Sequence, residues 1–312
     1  MLSVRRPQVH RGVLPPWEAV TDHRLRTIVA RRGQTRQNRS VFTDADAHKY
    51  VSHYTSSEAF LTYILPSMSL RMSRFANVND PRESRDWICT LAVPDELIHT
   101  DWDVLALSDR FSRFMKANAK LLCVTHDDPN LDAGRISHLY GRSYAHASLW
   151  DRYANRHSGV CLMLDTDKLA TAAAIAADGR GECLRMGVSY GDMPPNENEA
   201  YLLSAADLDA RGEDAVFVDH QMDHHGSLYF WKASDWASEF EYRWVLLDGS
   251  EDDVFIDIRD CLKGVVFGEA FPSGAIEMVA RVIGRSDVNF AKMRYRNGHP
   301  IVLPWLPPGS EG

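Results

Sequence analysis

Long apolar runs are missing from this chain. None approaches the ~20 residues that a bilayer-crossing helix needs, so no membrane partner is expected. Arginines near the amino terminus are followed by no apolar signal core, and the expectation is therefore a cytoplasmic, bacterial-type protein rather than an exported one. Neither GxGxxG nor GxxxxGK(S/T) occurs, which removes the two usual phosphate-cradling loops. Five cysteines (Cys89, Cys123, Cys161, Cys183 and Cys261) are odd in number, widely spaced and without a CxxC pair. That pattern argues against a disulfide framework and for buried reduced thiols. Cys123 and His126 have CxxH spacing, but no second pair completes a zinc site.

What is present allows a substantial core: 312 residues, 45% of them hydrophobic, with charged residues at 25%, near the globular average. The formal charge of -8 argues against a protein that coats nucleic acid with its whole surface. Charge is unevenly spread. Residues 1–40 hold nine arginines against Glu18 and Asp22, a local balance of +7, which set against -8 leaves -15 for the rest. Without lysine and with few periodic apolar positions, residues 1–45 read as a basic, flexible extension. Contact with an acidic partner or nucleic acid, and an upstream stretch of little consequence, both remain open for it. Residues 46–303 read as the folded part and 304–312 as a loose Pro/Gly-rich tail.

Within the folded part, Lys49–Thr55 alternates as a short strand, and Thr55 or Ser56 is placed to cap a helix that Pro66 stops. Met68–Ser73 is a second strand, and Asn77–Glu83 is turn chemistry around Asn-Asp-Pro. An amphipathic helix over 101–119 precedes the buried strand Leu121–Thr125. After a polar loop from His126 to Gly134, Ser148–Ala154 reads as one or two helical turns and Val160–Leu164 as a central strand. Asp167 is placed to cap an Ala-rich helix ending near Gly179, and Arg185–Tyr190 is a further strand. Pro194 to about Gly226 reads as mostly helical. The strands Val254–Ile258 and Leu262–Phe267, a helix over Ala275–Val282 and a last strand, Asn289–Arg294, follow. Short strands with a few helices and no regular βαβ spacing make the class α+β.

The segment Trp236-Ala-Ser-Glu239-Phe-Glu241-Tyr-Arg243, running into Trp244-Val-Leu-Leu247, carries the most chemistry. As a strand it puts Glu239, Glu241 and Arg243 on one face and Phe240, Tyr242, Trp244 and Leu246 on the other. Two neighbouring carboxylates on one face repel and need compensation, which Arg243 can supply. A solvated face with an ion pair and a catalytic pair are both consistent with this pattern.

Five pieces stand in order: Ser52–Thr55; Asn79-Asp80-Pro81-Arg82-Glu83; Cys123-Val-Thr125; Leu149–Ala154 with Ser158–Cys161; and Trp236–Arg243. Together, over about Tyr50 to Phe267, they resemble the bacterial domain-of-unknown-function family 2971 of the ADP-ribosyltransferase-like group. The resemblance implies a single domain over 46–303 with a split β-sandwich, two antiparallel sheets around an NAD cleft, and peripheral helices. It implies an NAD-dependent mono-ADP-ribosyltransferase with NAD as substrate, of a kind that suits a toxin or phage-defence effector with an antitoxin or immunity partner. The acceptor, whether protein, nucleic acid or small molecule, is left open. Glu241 would stabilise the oxocarbenium-like transition state that forms as the nicotinamide–ribose bond breaks. Glu239 would position or deprotonate the nucleophile. His53 and Thr55 would bond ribose hydroxyls, Tyr153 or Tyr54 would stack on nicotinamide, and Trp150, three residues from Tyr153 on the same helix, is a further cofactor-binding candidate that a core role would equally explain. Arg71 with Asn79 and Asp80 would meet the pyrophosphate. Only Thr125 of a Ser-Thr-Ser strand is kept, so arginine is not supported as acceptor.

Three other readings stay in view. A metal-dependent hydrolase or nuclease would use His220 and His224, four apart, although the stretch His220-Gln-Met-Asp-His224 lacks the HExxH glutamate. A nucleic-acid binder would use the arginine-rich extension. A non-catalytic module would keep the fold and bind a nucleotide or a protein.

Overall fold

The computed structural model describes residues 48–93, 101–131, 136–193 and 197–306. The basic extension, the Pro194-Pro195 helix start and the end of the tail lie outside them. Fourteen strands are present among the described residues. They are β1 Tyr50–Thr55, β2 Ser69–Arg74, β3 Thr90–Ala92, β4 Ala119–Thr125, β5 Val160–Asp165, β6 Cys183–Gly187 and β7 Ser189–Tyr190, then β8 Leu202–Ser204, β9 Trp231–Lys232, β10 Glu241–Leu247, β11 Val254–Asp257, β12 Leu262–Phe267, β13 Asn289–Arg296 and β14 His299–Pro304. The longer helices are α1 Val104–Ala117, α2 Thr166–Ala177, α3 Glu213–Asp223 and α4 Ser273–Ile283. The α+β class holds.

Ten strands form one hydrogen-bonded sheet in the order β11-β2-β4-β1-β5-β12-β13-β14, with β10 on β4 and β6 beyond it. All its pairings are antiparallel except that of β12 with β13. The sheet forks at β4. One edge of β4 pairs with β10 along its whole length, Ala119↔Leu247 to Thr125↔Glu241. The other edge is shared: β2 takes Lys120 and Leu121, whereas β1 takes Thr125 alone. Between these contacts β1 and β2 diverge, and among the described residues Leu122, Cys123 and Val124 have no strand partner on that side.

Alternating patterns account for the packing on both faces of β10. Trp244 and Leu246 enter a core with Val51, Leu122, Leu162, Val265 and the apolar sides of α2 and α4, with Tyr242 packed against it. Val245 enters a second core with Leu121, Phe111 of α1 and Phe217 of α3. Full burial of each large apolar side chain contributes about 1.5–3 kcal/mol. A third cluster gathers Tyr54, Tyr144, Leu149, Trp150 and Met163.

Several local expectations are corrected. Pro66 does not stop its helix: Phe60–Ile64 widens into a π turn, the backbone continues through Leu65–Ser67, and it ends at Met68 with φ 51°. The wider turn accommodates the missing proline N–H. Asp165, rather than Asp167, caps α2, accepting from Lys168 N. The Asn77–Glu83 turn contains a helical turn, Pro81–Ser84, capped by Asp80 through Arg82 N. The helical stretch toward Gly226 is broken into short helices by β8.

The largest correction concerns the acidic segment. Ser234–Glu239 is a 3-10 helix closed by Phe240 in the left-handed region (φ 45°), and β10 begins only at Glu241. Glu239 therefore enters from a helical turn and not along the same strand face. Phe240 packs against the rings of His126 and His146 rather than in the core behind β10.

Candidate functional site

A cavity of about 240 Å³ opens at the fork of the sheet. Its first wall comes from Ser52, His53 and Tyr54 of β1, its floor from Cys123, Val124 and Thr125 of β4. Asn77, Asn79, Asp80 and Glu83 follow from the segment after β2, and Tyr153, Lys232, Trp236, Glu239, Glu241 and Arg243 are also in the lining. The register explains the last group: Glu241 is paired with Thr125 and Arg243 with Cys123, so cross-strand neighbours share a face.

Glu239 and Glu241 come together here, joined by a cation that sequence reasoning missed. Lys232 Nζ lies 3.0 Å from Glu239 Oε2 and 2.8 Å from Glu241 Oε2. Arg243 grips Glu241 in a fork, Nε to Oε1 at 2.6 Å and Nη2 to Oε2 at 3.1 Å. Its other side reaches Glu83, with Nη2 to Oε2 at 3.2 Å, and Nη1 donates to the Tyr229 carbonyl at 2.6 Å. Glu239 Oε1 accepts from Arg152 at 3.0 Å and from the Tyr153 hydroxyl at 3.1 Å. Charges thus alternate along a chain, Glu83, Arg243, Glu241, Lys232, Glu239, Arg152, that is buried except at its Arg152 end. Trp236 lies against two of the cations, its ring 4.7 Å from Lys232 Nζ and 4.9 Å from the Arg152 guanidinium carbon.

Electrostatics follow from this chain. Burial works to raise the Glu241 carboxyl, but Arg243 and Lys232 outweigh it and hold the group down at about 2. Burial raises Glu83, against the pull of Arg243. Burial opposes the charged form of Lys232, yet Glu241 and Glu239 raise its pKa overall. Burial and the Glu239 charge push the Tyr153 hydroxyl up.

His53 occupies the gap between β1 and β4. Its Nδ1 lies 3.1 Å from the Cys123 carbonyl oxygen, one of the backbone groups left without a strand partner at the fork. A carbonyl only accepts, so Nδ1 carries the proton and Nε2 is a bare acceptor. Burial lowers the imidazole pKa, and the Cys123 bond only partly offsets this. His53 is therefore neutral at pH 7.

Of the other expected site residues, Tyr54, Asn79, Asp80 and Tyr153 line the cavity. The Tyr54 hydroxyl is committed to the Ser143 carbonyl at 2.7 Å, and its ring meets Trp150 edge to face. Asp80 uses Oδ1 as a helix cap, 2.9 Å from Arg82 N, while its Oδ2 is buried without a partner. The expectation that Asp80 meets pyrophosphate has the wrong sign, since a carboxylate repels phosphate oxygens.

Three residues lie outside the cavity lining. Arg71 is on the outer part of β2, its side chain 57% exposed and 3.7 Å from Asp253. Trp150 is fully buried, donates from Nε1 to the Tyr144 carbonyl and stacks on His157, so it is core. Thr55 is buried at the end of β1 against Val160. Gly159 approaches it so closely that a Cβ there would fall 2.1 Å from the Thr55 carbonyl oxygen. The residues missed were Lys232, Arg152 and Glu83: the two acidic positions demanded cations such as the first two, and Glu83 answers Arg243. Among the described residues no three His, Cys, Asp or Glu gather as metal ligands, and His220 Nε2 lies 2.8 Å from the Ala200 carbonyl oxygen in the helical core. No described helix is long and apolar enough to cross a membrane.

Residues 149–244 match the model of a family described as a protein of unknown function, DUF2971. The match supports that family. It covers a shorter span than the Tyr50–Phe267 resemblance and carries no information on a relation to ADP-ribosyltransferases. It contains Lys232, Trp236, Glu239, Glu241 and Arg243, but neither His53 nor Asp80. No curated protein and no solved structure matches the chain.

Proposed function

We propose that the forked cleft binds NAD as substrate and transfers its ADP-ribose to an acceptor. The observation that carries this reading is Glu241, held ionised inside the same cleft as the bare Nε2 of His53. When the nicotinamide–ribose bond breaks, its electron pair leaves with nicotinamide and positive charge grows on the ribose. A fixed carboxylate there lowers the barrier. His53 Nε2 accepts from a ribose hydroxyl, and Glu239, whose Oε2 takes a bond only from Lys232, keeps acceptor capacity for the nucleophile's proton. The lining suits the nicotinamide-ribose end better than the pyrophosphate, because Lys232 and Arg243 are both already bonded to carboxylates. The split β-sandwich is part of the same proposal, supported by the divergence of β1 and β2 from β4.

The bonds to Glu241 favour a second reading. Arg243 twice and Lys232 once take up three of its roughly four acceptor positions, so little of its charge is left for a ligand. In that reading the cleft binds the nucleotide without cleaving it. Incubating the protein with labelled NAD and bacterial lysate, and following nicotinamide release, separates the two. The transferase reading expects release and acceptor labelling that fall about 100-fold or more in Glu239→Gln and Glu241→Gln. Stabilisation by NAD without nicotinamide release would establish the binding module instead. The toxin or phage-defence setting, with its antitoxin partner, depends on the resemblance and on what the labelled acceptor proves to be.

A further inference from the structure

Among the described residues, four acidic side chains line the cleft; three are answered by cations and the fourth is not. Glu83 is bonded to Arg243, Glu241 to Arg243 and Lys232, and Glu239 to Lys232 and Arg152. Asp80 is only 4% exposed, yet one carboxylate oxygen, Oδ2, has no hydrogen-bond partner. Its other oxygen is spent on the Arg82 N–H. A carboxylate withdrawn from water without a counter-charge is costly, and such groups in native structures call for a partner. On the adjoining wall His53 presents a second unfilled acceptor, Nε2, fixed in that role by the Cys123 carbonyl.

We infer that Asp80 is the ligand-contacting residue that selects a cationic moiety for the cleft, with His53 accepting from a hydrogen-bond donor on the same ligand. The inference deepens the proposed reading: on NAD the matching moiety is the pyridinium of the nicotinamide riboside end, with its carboxamide N–H and ribose hydroxyl donors. An anionic phosphate does not match, because Asp80 would repel it and the two lining cations are bonded elsewhere. Asp80 then does what Glu241 cannot do alone. It brings uncompensated negative charge to the positively charged half of the substrate.

The probe is 1-methylnicotinamide, a pyridinium that carries no ribose, with neutral nicotinamide as control. Binding is measured by calorimetry on the full chain, for wild type, Asp80→Asn and Asp80→Ser. Both substitutions keep a side chain able to cap Pro81–Ser84, and thermal unfolding of each variant checks that the fold is kept. The expected result is a wild-type preference for the cation, with its affinity falling about 10-fold or more in both variants. The affinity for neutral nicotinamide changes less than about 2-fold in them, well inside one decade of Kd. Equal affinity of wild type and folded variants for the cation, or no wild-type binding of it, overturns the inference. The parent reading fails separately, through absence of nicotinamide release from NAD. In that case loss of cation binding in the Asp80 variants still sustains the site.

Discussion

The two sides of the cleft treat their charges in opposite ways. On the β10 side, Glu239 and Glu241 stand in an exchange with Lys232, Arg243 and Arg152, and each of their carboxylate oxygens already takes at least one bond from a cation. On the β1 and post-β2 side, His53 Nε2 and Asp80 Oδ2 are left over after local needs are met. The comparison teaches that acidity alone does not mark a binding surface. The carboxylates most conspicuous in the sequence are the most fully occupied, and the free valence lies on a residue whose local role is helix capping. The DUF2971 match covers the first side and omits the second.

Removing the central cation should break this contrast most severely. Arg243→Met leaves Glu83 and Glu241 facing one another without it, and a loss of about 3–5 kcal/mol in urea unfolding is expected. Next comes Glu241→Gln. Its carboxyl sits at about 2 in the folded protein against about 4.3 in a free chain, equivalent to about 3 kcal/mol at neutral pH. Because the folded pKa is the lower one, that stability is present above about pH 4.3 and disappears as pH falls toward 2. Unfolding curves of wild type and Glu241→Gln should therefore converge in acid; a gap that persisted at pH 2 would show that lost packing, not charge, set the difference.

Much of this region was legible because period-two alternation is a strong signal. Tyr242, Trp244 and Leu246 pack on one side of β10, and Arg243 answers Glu241 as the spacing required. Glu239 was misplaced because alternation does not reveal where a strand begins. Phe240, in a left-handed conformation that bulky residues rarely adopt, ends the pattern one residue before Glu241. Lys232 could not be read from local sequence, since its link to both glutamates is created by the intervening 3-10 turn. The first strand and the Asn-Asp-Pro turn were recognised, but only three-dimensional counting of partners shows an oxygen left over on Asp80. Arg71 and Trp150 went the other way: plausible residue types on correct elements, one facing water and the other the core.

Smaller effects sharpen the contrast. Trp236→Leu removes an aromatic face shared by Lys232 and Arg152, and a loss of about 1–2 kcal/mol is expected from denaturant midpoints. Asp80→Asn should cost least. Asparagine caps a helix about as well as aspartate, so its unfolding free energy should stay within about 1 kcal/mol of wild type. A larger loss would place Asp80 with the self-satisfied carboxylates of the β10 side.

Trp236 has an optical consequence. An indole in contact with an ammonium and a guanidinium emits from a strongly polarised setting, and both cations are tethered to one carboxylate, Glu239. Whatever enters the cleft and tugs on Glu239 must shift those cations relative to the ring. The protein thus carries a built-in fluorescent gauge of occupancy, readable by subtracting the spectrum of the Trp236→Phe variant.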